Sequence, residues 1–162
     1  MKKHLSIILS AIIVITCLVP FTAFAEDNTK YDAEFTQTEF ESLEHVYAIS
    51  VQPYSSGLIT DYRLGIAKSG NNLQISGYTQ GSDEVIKCGF TKVVIQRRAS
   101  TSASWSNYKT LNDLYSSSDY YRLSKSIPVN YGYQYRVTAT HYAKKSLLST
   151  QKIDSTTGYL TF

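Results

Sequence analysis

An all-β domain following an export signal is what the sequence predicts, on three observations. A basic, apolar, small-residue N-terminus precedes Glu26. Apolar and polar residues alternate from Tyr62 to the C-terminus. Turn-forming residues interrupt that alternation about every 8–12 positions.

Lys2, Lys3 and His4 open the chain, and an apolar run from Leu5 to Val19 follows, interrupted by Ser6, Ser10, Thr16 and Cys17. Pro20 ends the helix such a run would form. Ala23-Phe24-Ala25 offers small residues at both specificity positions of a signal peptidase, so residues 1–25 are expected to leave by cleavage between Ala25 and Glu26. The run is also shorter than the about 20 residues of a spanning helix. The alternatives are an uncleaved anchor and lipid attachment at Cys17. The A-x-A site argues against the first, and Thr16 with the apolar residues after Cys17 against the second. The expected product is secreted, extracellular or loosely wall-associated, without stable membrane insertion.

The remaining chain, 26–162, is one domain's worth. Its charge is almost balanced once Lys2 and Lys3 are gone, but unevenly spread. An acidic leader, 26–58, holds Glu26, Asp27, Asp32, Glu34, Glu39, Glu41 and Glu44 against Lys30 alone, while the body, 59–162, is basic. Such a split suits a leader lying against the body and a body drawn to anionic surfaces such as wall polymers. A solvated leader with ordinary surface charge is the plainer alternative. Only Cys88 survives processing, so no intrachain disulfide is available and the core must hold the fold.

Within the leader, Thr38 to Glu41 reads as a capping box, with Phe40, Leu43 and Tyr47 at helical spacing, which predicts a short helix over 39–47. Period two takes over in the body. Tyr62, Leu64 and Ile66 alternate with Arg63, Gly65 and Ala67; Gly70-Asn71-Asn72 turns the chain; Leu73, Ile75 and Gly77 return it, to a second turn at Gln80-Gly81-Ser82. Ile86, Cys88 and Phe90 share one parity, and Val93 and Ile95 the other, which predicts a bulge near Thr91-Lys92. Trp105, Tyr108 and Leu111 begin another strand, 112–119 reads as a Ser- and Asp-rich loop, and 120–129 as a strand ending at Pro128. The clearest strand is 132–142: Tyr133, Tyr135, Val137, Ala139 and His141 on a dry face, Gln134, Arg136, Thr138, Thr140 and Tyr142 on a wet one. Lys144-Lys145 marks a turn, 147–153 returns, and 158–162 closes an edge. About seven strands of this kind predict an immunoglobulin-like or fibronectin-like β-sandwich.

The stretch from Leu64 to Phe162 resembles a family of small exported proteins of Gram-positive bacteria whose domain has no assigned function. The carriers are Gly70 with Leu73-Gln74-Ile75-Ser76-Gly77, Ile95-Gln96-Arg97-Arg98, Ser104-Trp105, and Gly132-Tyr133-Gln134-Tyr135-Arg136-Val137 running to His141. The resemblance implies export and a β fold and brings no activity. The last stretch also resembles the sixth strand of fibronectin-like domains, where a Tyr hydroxyl bonds back to the backbone.

Catalytic signatures are lacking. His45, His141 and Cys88 lie far apart in sequence, without the close ligand spacing of a zinc site, so no metal is expected. A Cys88/His141 dyad needs an exposed thiol, and Cys88 reads as inward. There is no G-x-S-x-G, P-loop or dinucleotide fingerprint, and no cofactor is expected. The body's acids, Asp61, Asp83, Glu84, Asp113, Asp119 and Asp154, fall mostly at turns.

Tyrosine dominates instead: all 14 lie after the cleavage site. Core and rim packing explains most of them. The functional alternative is an exposed platform of Tyr54, Tyr78, Tyr120 and Tyr142 with Arg97, Arg98 and Arg136, the residue types that dominate binding hot spots. The leading expectation is an exported, non-catalytic surface or binding module for an anionic cell-wall polymer, a glycan or a protein, with no nucleic-acid partner. A structural or self-associating secreted factor comes second, and an enzyme with a dispersed site last.

Overall fold

A computed structural model describes residues 31–49 and 57–162. The signal segment, its cleavage site at Ala25 and Glu26, and Tyr54 lie outside the described residues. The elements are β1 (Tyr31–Ala33), α1 (Gln37–Glu41), β2 (Glu44–Tyr47), β3 (Ile59–Ser69), β4 (Asn72–Gly81), β5 (Lys87–Arg98), β6 (Ser106–Ser116), β7 (Tyr120–Pro128), β8 (Gln134–Lys144), β9 (Thr150–Thr156) and β10 (Leu160–Thr161).

They form an all-β, sandwich-like molecule of two sheets. The first runs β1-β7-β4-β3-β2 and the second β6-β5-β8, with β9 and β10 sharing the far edge of β8. Pairing is antiparallel except where β1 joins β7. The core lies between the sheets: Leu64, Ile66, Leu73, Ile75 and Leu123 from the first meet Phe90, Val93, Ile95 and Val137 from the second. Burying these side chains, at about 1.5–3 kcal/mol each, is what holds a domain without crosslinks together.

The turn at Gly70-Asn71 is a two-residue hairpin loop with Gly70 at φ +58°, the type II′ pattern. In β5 the pairing with β8 slips between Phe90 and Lys92, so Thr91 is the extra residue and the dry parity passes from Cys88 and Phe90 to Val93 and Ile95. At the start of β8, Tyr135 is fully buried; its hydroxyl donates to the Asn130 carbonyl (3.2 Å) and accepts from the Asn130 N–H (3.1 Å).

The leader departs from expectation. The helix expected over 39–47 is a single turn, Gln37–Glu41, capped by Thr36 with Glu39, and 44–47 is strand β2 along the edge of β3. Ser42 bonds back to the Glu39 carbonyl and closes the turn, and the open edge of β3 supplies hydrogen bonds that a longer helix would forgo. The described part of the leader around α1 and β2 lies on the body. One row across the first sheet's outer face, Gly65-Ser76-Ser124, carries only small side chains. Phe40 is fully buried there against Ala67 and Tyr47, a Cβ on Gly65 would sit 2.6 Å from the Tyr47 ring, and Ser76 and Ser124 bond to Gln37 and Phe35.

Three boundaries also move. Ile86 precedes β5 and is exposed; β6 continues through 112–116, where polar residues suit an edge strand; and Leu147 and Leu148 belong to the β8–β9 turn, not to the returning strand.

Gly89 is the most crowded of the described glycines. Its φ is +149°, and a Cβ there would stand 2.0 Å from the Leu114 carbonyl oxygen. Gly89→Ala should therefore cost about 3 kcal/mol, read as a lowered denaturation midpoint. An unchanged midpoint would mean that β5 and β6 separate freely at this point.

Candidate functional site

Strand alternation decides which side chains the second sheet shows to solvent. After the Thr91 bulge, Lys92, Val94, Gln96 and Arg98 of β5 face outward, and their β8 partners are Thr140, Thr138, Arg136 and Gln134. This register sets Arg98 and Arg136 on one face in neighbouring rows. Trp105, just before β6, lies over both: each guanidinium carbon is 4.4 Å from its ring centroid. Tyr159, just before β10, adds a second ring 4.9 Å from the Arg98 guanidinium and 6.3 Å from Trp105.

Amides aim these cations. Arg98 Nε donates to Gln134 Oε1 (2.8 Å) and its Nη1 to the Thr101 carbonyl (3.2 Å); Arg136 Nε donates to Gln96 Oε1 (2.9 Å), and Gln96 is itself fixed by Asn107 (3.1 Å). Every partner is neutral. Among the described residues no carboxylate pairs with either arginine, and Arg98 Nη2 and both terminal nitrogens of Arg136 bond to no protein acceptor. Desolvation first, and the adjacent Arg98 second, lower the Arg136 pKa. Two forked guanidiniums beside flat rings suit carboxylate or phosphate oxygens on a carrier that stacks.

The face continues from this corner. A groove of about 330 Å³ follows, lined by Lys92, Val94, Thr138, Thr140, Asp154 and Thr156, with Thr140 bonded to Asp154 (2.6 Å). Tyr142 and Tyr115 then pair at 5.3 Å across Gly89. From Gln134 to Tyr142 the face runs about 27 Å at the usual strand rise.

Other platform residues lie elsewhere. Arg97 points inward, 5.0 Å and 4.8 Å from the Tyr108 and Tyr133 rings, where it seals the end of the core. Tyr78 and Tyr120 stack at 6.1 Å on the first sheet, and the Tyr78 hydroxyl donates to Asp61 (2.7 Å). Burial and that carboxylate push the Tyr78 pKa to about 12. The structure thus unites Arg98 and Arg136, places Tyr142 farther along the same face, and separates the rest. Trp105, Tyr159, Gln96 and Gln134 are the members that sequence reasoning missed. Arg136 and Gln134 share the wet parity of β8; Trp105 and Tyr159 carry no periodic signal and needed the strand register.

A second polar cluster lies in the core. The Cys88 thiol donates to the Thr79 carbonyl (3.0 Å), not to His141, and burial raises its pKa to about 12. Thr79 commits its proton to the Gly89 carbonyl (3.0 Å), so His141 Nδ1 donates to Thr79 Oγ1 (2.8 Å) and Ser155 donates to His141 Nε2 (2.9 Å). The ring is packed between Tyr62 (4.8 Å) and Phe90 (4.6 Å), fully buried, and desolvation lowers its pKa to about 3. This bridge, from β4 to β8 and β9, is a neutral tie between the sheets.

Because the unfolded ring takes up a proton near pH 6.5 and the folded one only near 3, the unfolded chain binds more protons between those values. Its stabilising share is full above about pH 6.5 and is lost as the pH falls, at up to about 1.4 kcal/mol per pH unit. His141→Gln should flatten the stability difference between pH 6.5 and pH 4 in urea melts. An unaltered slope in that variant would remove His141 as the source. Against known proteins, no family model matches the chain, and neither a curated protein nor a solved structure does.

Proposed function

We propose that this chain is an exported, non-catalytic binding module that holds an anionic wall polymer along the outer face of the second sheet. The observation that carries the reading is the pair of guanidiniums, Arg98 and Arg136, over Trp105 without a carboxylate partner. The leader supports it, because among the described residues it packs on the first sheet and not on the outer face of the second. A face about 27 Å long suits several units of a polymer better than a single small molecule.

The strand order supports the finer fold reading as well. Strands β3-β4-β7 opposite β6-β5-β8-β9 match a fibronectin-like arrangement, and the Tyr135 hydroxyl bonded to Asn130 matches its tyrosine corner. Kinship with the small exported Gram-positive proteins belongs to the same proposal, on the motif residues around Gly70, Trp105 and Tyr135.

Trp105 is the sole tryptophan, so its emission reports the site. Titration with poly(glycerol phosphate) at low salt should change that emission saturably, and added salt should weaken it. Arg98→Ala and Arg136→Ala should each weaken binding about tenfold or more, since a hydrogen bond to a charged group contributes about 1.5–3 kcal/mol. A neutral glycan bound as well as the phosphate polymer, or undiminished binding by the double variant, would contradict the reading.

A further inference from the structure

The β8–β9 hairpin ends in an unusual tip. Leu147 and Leu148 are 88 % and 99 % exposed, although nothing in a turn requires leucine. The turn itself is fixed: Lys145 N–H donates to the Ser149 carbonyl (3.0 Å), and Ser146 and Ser149 bond each other's backbone (3.4 Å each way). Ile86, 59 % exposed, is tied to the hairpin's base by its N–H on the Lys144 carbonyl (2.9 Å). Three large aliphatic side chains therefore stand in water at one end of the molecule.

What surrounds them is basic and amphipathic. Lys87 lies opposite Lys144 in the pairing, and Lys152 lies opposite Tyr142. Lys145 is paired with Glu84 and Asp113 bonds to Tyr115, while among the described residues Lys87, Lys144 and Lys152 make no salt bridge. Tyr115 and Tyr142 stand behind them, with the Lys87 ammonium 4.0 Å over the Tyr115 ring. Projecting leucines backed by a lysine belt is the order of chemistries met in passing from acyl chains to anionic head groups.

We propose that this tip docks the protein on the surface of a bilayer with anionic head groups. A protein partner would need a concavity shaped to two projecting leucines, whereas a bilayer receives a wedge without shape complementarity. The lysine belt selects negative head groups. This is peripheral, reversible contact: among the described residues no helix is long and apolar enough to cross a membrane. The tip stands at the opposite end of β8 from Arg98 and Trp105 and shares with the polymer-binding face only Tyr115 and Tyr142, which neither test substitutes.

The test compares chains with identical N-termini on vesicles of phosphatidylglycerol and of phosphatidylcholine. Leu147→Ser with Leu148→Ser should weaken partitioning onto phosphatidylglycerol by about tenfold per leucine. Lys144→Gln with Lys152→Gln should weaken it by about fivefold per lysine, and partitioning should fall with salt. A second readout is local: a Leu148→Trp variant should be quenched by brominated phosphatidylglycerol, while Trp105 in the parent, about 30 Å or more away, should not. Unquenched emission from the Leu148→Trp variant would overturn the proposal and leave the tip to a protein partner. Equal partitioning of the double-leucine variant would overturn it as well.

Discussion

The single residue inserted at Thr91 governs how the second sheet presents itself. Before it, β5 turns Cys88 and Phe90 inward; after it, Val93, Ile95 and Arg97 are inward and Gln96 and Arg98 outward. Had β5 kept its first parity, Arg97 would face solvent and Arg98 the core, since a one-residue slip exchanges the faces of everything beyond it. The bulge also brings Arg98 into the row of Gln134, with Arg136 in the next row beside Gln96. The arrangement of cations over Trp105 is thus a consequence of strand arithmetic, and only its outer edge, supplied by Trp105 and Tyr159, comes from chain segments outside that alternation.

Two polar devices fix the sheets relative to each other without a crosslink. One is the Thr79–His141–Ser155 bridge, which satisfies every buried group it contains and keeps the imidazole neutral. The other is Tyr135, whose ring packs edge-on against Tyr108 and Phe162 while its hydroxyl satisfies both backbone groups of Asn130. Such groups discriminate among packings that hydrophobic burial alone would leave nearly equal, because an unsatisfied buried polar group costs about 1–3 kcal/mol. They stand toward opposite ends of the core, with the aliphatic layer of Ile66, Ile75, Val93 and Val137 between them.

Sequence reasoning reads well where one strand carries its own evidence. The alternation of β8 appears residue for residue in its burial, and the Thr91 bulge follows from parity alone. It reads poorly where a segment's conformation depends on a distant partner. Phe40, Leu43 and Tyr47 fit helical spacing, yet Glu44–Tyr47 is a strand because β3 offers an edge and Gly65 leaves room for the Tyr47 ring. The same limit applies to the candidate site. Arg136 is marked by its wet parity, and the parity of Val93 and Ile95 turns Arg97 inward and Arg98 outward, but nothing in either strand alone places Arg98 beside Arg136. Neither Trp105 nor Tyr159 could be joined to them without the register of β6 and β10.

We propose that the half-buried Arg98, Arg136 and Trp105 act together as one anion-binding corner. The most direct measurement is two-dimensional NMR of the side-chain Nε–Hε groups and the indole N–H during addition of a phosphate polymer. The Arg98, Arg136 and Trp105 signals should move together along one saturation curve while Arg97, enclosed by Tyr108 and Tyr133, stays in place. Movement centred on Tyr78 and Tyr120, or on Arg97 with the other two unmoved, would contradict it.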